Sequence, residues 1–201
     1  MTLTTFTRAV APVVMAVAAP AMAATPSPDL AQLKSHLAGV QTMTADFTQT
    51  DSKGQVATGT LQMKRPGRVR FAYSGGDLLL VADGQRLTFL DYSIGQKSSW
   101  PLNRTPLGPL LSGSPDFNGK AEILPSGDSR VVVARAKNSG MYGQLTLAFL
   151  RSSGAPGGLQ MYGWTAIDPQ GHRTTVRLTN VRFNVAVPDS AFTYLDPKKK
   201  K

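Results

Sequence analysis

The stretch LQMKRPGRVRF, residues 61–71, decides how this chain folds. Residues two apart in a β-strand share a face, so Leu61 and Met63 point to one side and Arg65 follows them onto it. A Pro–Gly pair then breaks the strand, and a second alternating run begins. The segment therefore predicts two strands joined by a turn, with an arginine on their apolar face.

The rest of the chain repeats this pattern of short alternating or apolar runs separated by turns. The clearest hairpin lies at residues 78–90, where Asp83 and Gly84 join two apolar runs. Further runs continue to residue 183, separated by turns that contain Gly, Ser or Asp. We expect about ten or eleven antiparallel strands in a mainly β domain, as a barrel or a sandwich.

Two helical segments interrupt the strands. Asp29 is placed to cap the first, and Gly39 to end it. Thr105 begins the second as an N-cap, followed by a first-turn proline. The leucines that we expect on their apolar faces are Leu30, Leu33 and Leu37 in the first segment, and Leu107, Leu110 and Leu111 in the second.

The N-terminus reads as a secretory signal peptide over residues 1–23, cleaved near Ala23. Arg8 is its only charge, and a short apolar run precedes a small-residue cleavage pattern. The remaining residues, 24–201, suit one domain, and none of their segments has the length of a transmembrane helix. The chain contains no cysteine, which excludes disulfides, thiolate metal sites and a lipid-modified N-terminal cysteine. We expect a soluble periplasmic or secreted protein.

The charge balance is strongly basic, with 22 Lys and Arg against 12 Asp and Glu, a net charge of +10. Export makes nucleic acid an unexpected partner, and an acidic docking partner fits the charge. The run Lys198–Lys201 predicts a disordered basic tail, with a membrane-surface role as the alternative.

Groups that carry catalysis are few. The two histidines, His36 and His172, have no partner at metal-ligand spacing, and no nucleophile, phosphate-binding or dinucleotide motif is present. A hydrolase would have to rely on Asp83, Asp91, Asp116 or His172. We therefore expect no enzyme activity, no metal and no cofactor.

Apolar strand residues are far more numerous. They form a plain core or, because a curled sheet of about eleven strands encloses more volume than its side chains fill, the wall of a cavity. An apolar concave face, with helical segments that could cover it, favours a lipid carrier. The predicted cavity residues are Phe47, Leu61, Met63, Val69, Phe71, Leu79, Val81, Leu87 and Phe89.

Arg65 has two interpretations. If buried, its guanidinium needs acceptors, and the free carbonyls at a helix end would supply them, so that Arg65 latches a helical lid over the cavity. Alternatively the strand ends at Pro66, and the side chain of Arg65 reaches solvent.

The chain also resembles a known family, the LolA family of periplasmic lipoprotein carriers. The motifs that carry the resemblance occur in the family's order along the chain. They are Phe47-Thr48-Gln49, Gly59-Thr60-Leu61, Lys64-Arg65-Pro66-Gly67, Val81-Ala82-Asp83-Gly84, Gln96 and Thr105-Pro106-Leu107.

The resemblance implies an unclosed, eleven-stranded antiparallel β-barrel with a short α-helical lid. It also implies a cavity for the acyl chains of triacylated lipoproteins, which an inner-membrane ABC transporter releases and an outer-membrane acceptor receives. Arg65 stands at the family's lid-holding arginine, and a monomer is expected. A relative with the same motifs that senses lipids or lipoproteins, as a regulatory module of the envelope, remains the alternative.

Overall fold

The computed structural model describes residues 27–105, 108–111, 121–136 and 143–198. The predicted signal peptide, Leu107 and Asp116 lie outside these residues, as do the last three lysines of the predicted tail. No helix in the described part of the chain is long and apolar enough to cross a membrane.

The first element is the helix α1, which spans Pro28–Gly39. Its N-cap is Ser27 rather than the predicted Asp29: the Ser27 hydroxyl accepts a hydrogen bond from the Leu30 N–H at 3.2 Å. Ser followed by Pro at the first helical position is a favourable helix start, and Asp29 instead places its charge in the first turn. The second predicted helix is one turn, α2 (Gly108–Leu111).

Eleven strands form one antiparallel sheet. They are β1 (Thr42–Thr50), β2 (Val56–Lys64), β3 (Arg68–Tyr73), β4 (Leu78–Asp83), β5 (Arg86–Asp91), β6 (Gln96–Pro101), β7 (Ala121–Leu124), β8 (Val131–Ala136), β9 (Gln144–Arg151), β10 (Leu159–Ile167) and β11 (Arg173–Phe183). Their order is β6-β5-β4-β3-β2-β1-β11-β10-β9-β8-β7, so β6 and β7 are its two ends and the sheet is unclosed. The predicted fold class is confirmed.

The concave side of the sheet carries two apolar clusters. One gathers side chains of β1, β2, β3 and β11 together with Leu111. The other packs Leu33 and Leu37 of α1 against β8, β9 and β10. Residues of both clusters line a common space, and this space is the candidate site.

The convex side is covered in part by the chain that follows β11. Val187 and Phe192 of this C-terminal segment are buried with side chains from β4 and β5. Asp189 of the same segment pairs with Lys64 and Arg68, both at 2.6 Å. A third cluster thus lies on the outside of the sheet, where the sequence had suggested only one apolar face.

Candidate functional site

An apolar cavity lies between the two concave clusters. Its volume is only about 70 Å³, well below the ~300–1,000 Å³ typical of pockets for small ligands. Its lining is apolar except for two side chains, the cationic guanidinium of Arg65 and the titratable imidazole of His36. The lining residues are His36, Leu37, Val40, Met43, Leu61, Met63, Arg65, Val69, Phe71, Leu111, Leu145, Leu147, Phe149, Met161, Trp164 and Phe183.

Four of the nine predicted cavity residues line this space, because they alternate along β2 and β3 with the same parity. Leu61 pairs with Phe71 and Met63 with Val69, so the two pairs form adjacent rows on the concave face. All four are buried.

Three other predicted residues lie beside the cavity rather than in its wall. Phe47 and Leu87 are buried in the same concave cluster, and the ring of Phe47 packs edge-on against Phe71 at 5.6 Å. Phe89 is half-buried and pairs with Leu80, which belongs to that cluster.

Leu79 and Val81 were placed wrongly in the cavity. They pair with Ala72 and Arg70 on the convex face and are buried against the C-terminal segment. The apolar run of β4 presents side chains to both sides, and only a cover on the outside shows which residues face inward.

Arg65 is on the concave side, as its parity with Leu61 and Met63 predicts. It is 8% exposed, and its Nε donates to the carbonyl oxygen of Val40, just past the end of α1, at 2.8 Å. Burial lowers the pKa of this guanidinium. The geometry is that of a buried cation bonded to a carbonyl at a helix end.

The same turn also contacts α2. The N–H of Gly67 donates to the carbonyl oxygen of Leu111 at 2.7 Å, and Leu111 lines the cavity. The turn between β2 and β3 therefore bonds to the end of α1 through Arg65 and to α2 through Gly67. Leu107 lies outside the described residues, and the side chain of Leu110 is likewise outside them.

Hydrogen bonds also join α1 to the end of β9 and to the connection between β9 and β10. The Gln32 side chain donates to the carbonyl oxygen of Gly158 at 3.3 Å, and Arg151 bonds to Asp29 at 2.6 Å and also to Gln32. Gly157 packs so closely that a Cβ there would collide with the backbone nitrogen of His36.

Of the predicted α1 leucines, Leu37 lines the cavity. Leu33 is fully buried in the cluster beneath the helix, and Leu30 is half-buried against it.

His36 was not expected at the site. It is 2% exposed, lines the cavity, and its Nδ1 lies 2.8 Å from the carbonyl oxygen of Pro156. Its ring packs edge-on against Phe149 and Phe183 at 5.3 and 5.4 Å. Burial is the largest influence on the pKa of His36 and lowers it, and the charge of Arg65 acts in the same direction.

The predicted cavity residues also did not include the wall formed by β9 and β10, although the alternation of apolar residues along β9 is visible in the sequence. Leu145, Leu147 and Phe149 alternate along β9 with the period of a half-buried strand. Trp164 of β10 sits opposite Leu147 and packs edge-on against Phe71 at 5.8 Å, which joins the two sides of the curled sheet.

The side chains on which a hydrolase would rely occupy local turn roles in the described chain. Asp83 accepts hydrogen bonds from the backbone of Gln85 and Arg86, and Asp91 accepts one from the backbone of Ser93. His172 pairs with Asp168 in an exposed turn. Among the described residues, no group of three His, Cys, Asp or Glu side chains could hold a metal ion.

Comparison with known proteins gives one family. The family model described as outer membrane lipoprotein carrier protein LolA matches residues 38–195. An outer-membrane lipoprotein carrier protein of Chromobacterium violaceum is 28% identical over 197 residues, which cover 90% of this chain and 88% of that protein. One of Pseudomonas fluorescens is 29% identical over 185 residues, covering 85% of each chain.

Among solved structures, a LolA superfamily protein from Nitrosomonas europaea aligns with a TM-score of 0.48 at 11% identity. The alignment covers 83% of this chain and 97% of that protein.

Proposed function

Because this chain belongs to the LolA family of outer membrane lipoprotein carrier proteins, we propose that it binds the acyl chains of lipoproteins and carries them through the periplasm. In this proposal residues 1–23 direct export and are removed near Ala23. The cargo is a triacylated lipoprotein released from the inner membrane by an ABC transporter, and an outer-membrane acceptor receives it. The carrier acts as a monomer, needs no cofactor and performs no catalysis.

One observation carries the proposal: the cavity wall is apolar on every strand that reaches it. Side chains from β1, β2, β3, β9, β10 and β11 and from both helices line it. Transfer of acyl chains from water into such a wall is favourable by about 25 cal/mol per Å² of buried apolar surface. The protein can therefore shield a lipid from water without any covalent step.

The cavity as described suits a closed state. A volume of about 70 Å³ is smaller than that of a pocket for a single small ligand, so acyl chains can enter only if the cover moves. In our proposal Arg65 is the latch of this cover. It holds the end of α1 through Val40, and Gly67 of the same turn holds α2.

The test is native mass spectrometry of the mature protein. The protein is incubated with membranes that contain the releasing transporter, a triacylated lipoprotein and ATP, and a second sample omits ATP. A soluble one-to-one complex that forms only with ATP is the expected result.

An unliganded protein, under conditions in which a known carrier is loaded, would contradict the carrier function and favour an envelope regulatory module. A bound phospholipid in place of lipoprotein would support a lipid-binding cavity but contradict the proposal that lipoproteins are the cargo.

A further inference from the structure

The sheet parts between β10 and β11. These strands pair only from Ile167 opposite Arg173 to Gly163 opposite Arg177. Beyond that point residues 159–161 pair with β9 alone, and residues 178, 179, 182 and 183 pair with β1 alone. All of these residues are described, so the break is a feature of this sheet.

Local irregularities explain why pairing stops there. At Gly163 the strands are so close that a Cβ would collide with the carbonyl oxygen of Val176. Immediately beyond it β10 has a bulge between Met161 and Gly163. In β11 the pairing with β1 shifts register, and Asn180 adopts a φ of +51°. Bulges bend a strand and end its pairing, so β10 and β11 diverge from this point.

The gap is an open groove that meets the cavity. It has a volume of about 660 Å³ and is open to solvent, and Phe183 lines both the groove and the cavity. Its other lining residues are uncharged, and Ser152, Gly154, Gln160 and Asn184 make most of it small or polar. An apolar chain has little to gain in such a groove, whereas a peptide backbone suits it.

We propose that this groove binds the extended peptide segment that follows the lipid-bearing end of the cargo. The inference rests on the proposed carrier function, because the peptide is delivered to the groove by its acyl chains in the adjoining cavity. Unpaired strand edges bind extended peptides through main-chain hydrogen bonds, largely without regard to sequence. A carrier whose cargoes share a lipid but differ in sequence needs this kind of recognition.

The first test uses a blocking variant and a matched control. Gly154→Trp adds a large side chain in the groove, and Gly127→Trp adds the same side chain in the turn between β7 and β8. At both positions no atom lies within 4 Å of an added Cβ, so both variants should fold. Each is titrated with a fluorescent fatty acid and with a synthetic triacylated lipopeptide of about ten residues.

Gly154→Trp should weaken lipopeptide binding about tenfold, the effect of some 1.4 kcal/mol, and leave fatty-acid binding unchanged. Gly127→Trp should change neither. Equal lipopeptide affinity in the two variants would overturn the proposal, and so would an equal loss of both ligands in Gly154→Trp. If the unaltered protein binds neither ligand, the carrier function itself has failed and the groove proposal falls with it.

The second test asks whether strand pairing is the mode of binding. Amide hydrogen exchange at residues 178–183 should slow when lipopeptide is added and not when fatty acid is added. Unchanged exchange with bound lipopeptide would refute pairing in the groove. Slow exchange that depends on protein concentration, without any lipopeptide, would show a second copy of the chain as the occupant and would also refute it.

Discussion

Substitution of Arg65 by leucine tests the latch directly. Its Nε donates to the carbonyl oxygen of Val40, and its side chain is 8% exposed. A hydrogen bond with a charged partner contributes about 1.5–3 kcal/mol, which corresponds to roughly a 10- to 150-fold change in the closing equilibrium. Arg65→Leu should therefore favour the open state by about that factor, counting this bond alone.

In the proposed mechanism only the open state takes up cargo, so closing competes with cargo binding. The apparent affinity of a ligand is its affinity for the open state multiplied by the fraction of protein that is open, so loss of the latch should tighten binding by up to the same factor. The variant should accept cargo and release it poorly, because closure no longer displaces the acyl chains. Fluorescent fatty-acid titration measures the first effect, and transfer of loaded lipoprotein to acceptor membranes measures the second.

Arg70→Leu is the matched control. Arg70 also donates to backbone carbonyls, those of Ala191 and Thr193 at 3.2 and 3.1 Å, but it does so on the convex face. Its loss should leave ligand affinity unchanged. The latch reasoning is refuted if Arg65→Leu folds normally and binds no more tightly than the unaltered protein, or if both arginine variants tighten binding equally.

Three further predictions concern stability, each measured by urea unfolding. Leu33→Ala should lower the free energy of unfolding by about 2–5 kcal/mol, because Leu33 is fully buried beneath α1; a smaller loss would mean that the helix is not docked as described. Gly157→Ala should cost at least about 1–2 kcal/mol, from its φ of +62° and the collision with the backbone of His36, while Gly154→Ala costs little; equal effects would contradict this packing. The buried His36 has a pKa below its ordinary 6.5, so the unfolded chain binds the proton more readily and stability should fall as pH decreases below about 6.5. His36→Gln should flatten this dependence; the same slope in the variant and in the unaltered protein would refute the assignment.

The strands and the first helix, in their sequence along the chain, could be predicted from residues alone. Alternation along residues 61–71 and the hairpin at residues 78–90 are local signals, because strand side chains repeat with period two and turn residues mark the breaks. The helix α1 followed from leucines at helical spacing. The parity argument also put Arg65 on the concave side, where the structure has it.

The sequence was less informative wherever a strand is apolar on both faces. β4 reads Leu-Leu-Leu-Val, and parity separates Leu79 and Val81 from Leu80 without saying which set faces inward. Pairing with β3 and burial under the C-terminal segment place Leu79 and Val81 outside.

By itself, then, the sequence determined a β-rich chain, a helix with N-cap and C-cap residues, and an arginine on an apolar strand face. Each of these features depends on residues that are close together in the chain. The tertiary structure decided what surrounds them. Val40 lies 25 positions before Arg65, Pro156 lies 120 positions after His36, and the two walls of the cavity come from β2–β3 and β9–β10. Contacts over such separations arise only when the sheet curls and α1 packs across its end, so no local period in the sequence encodes them.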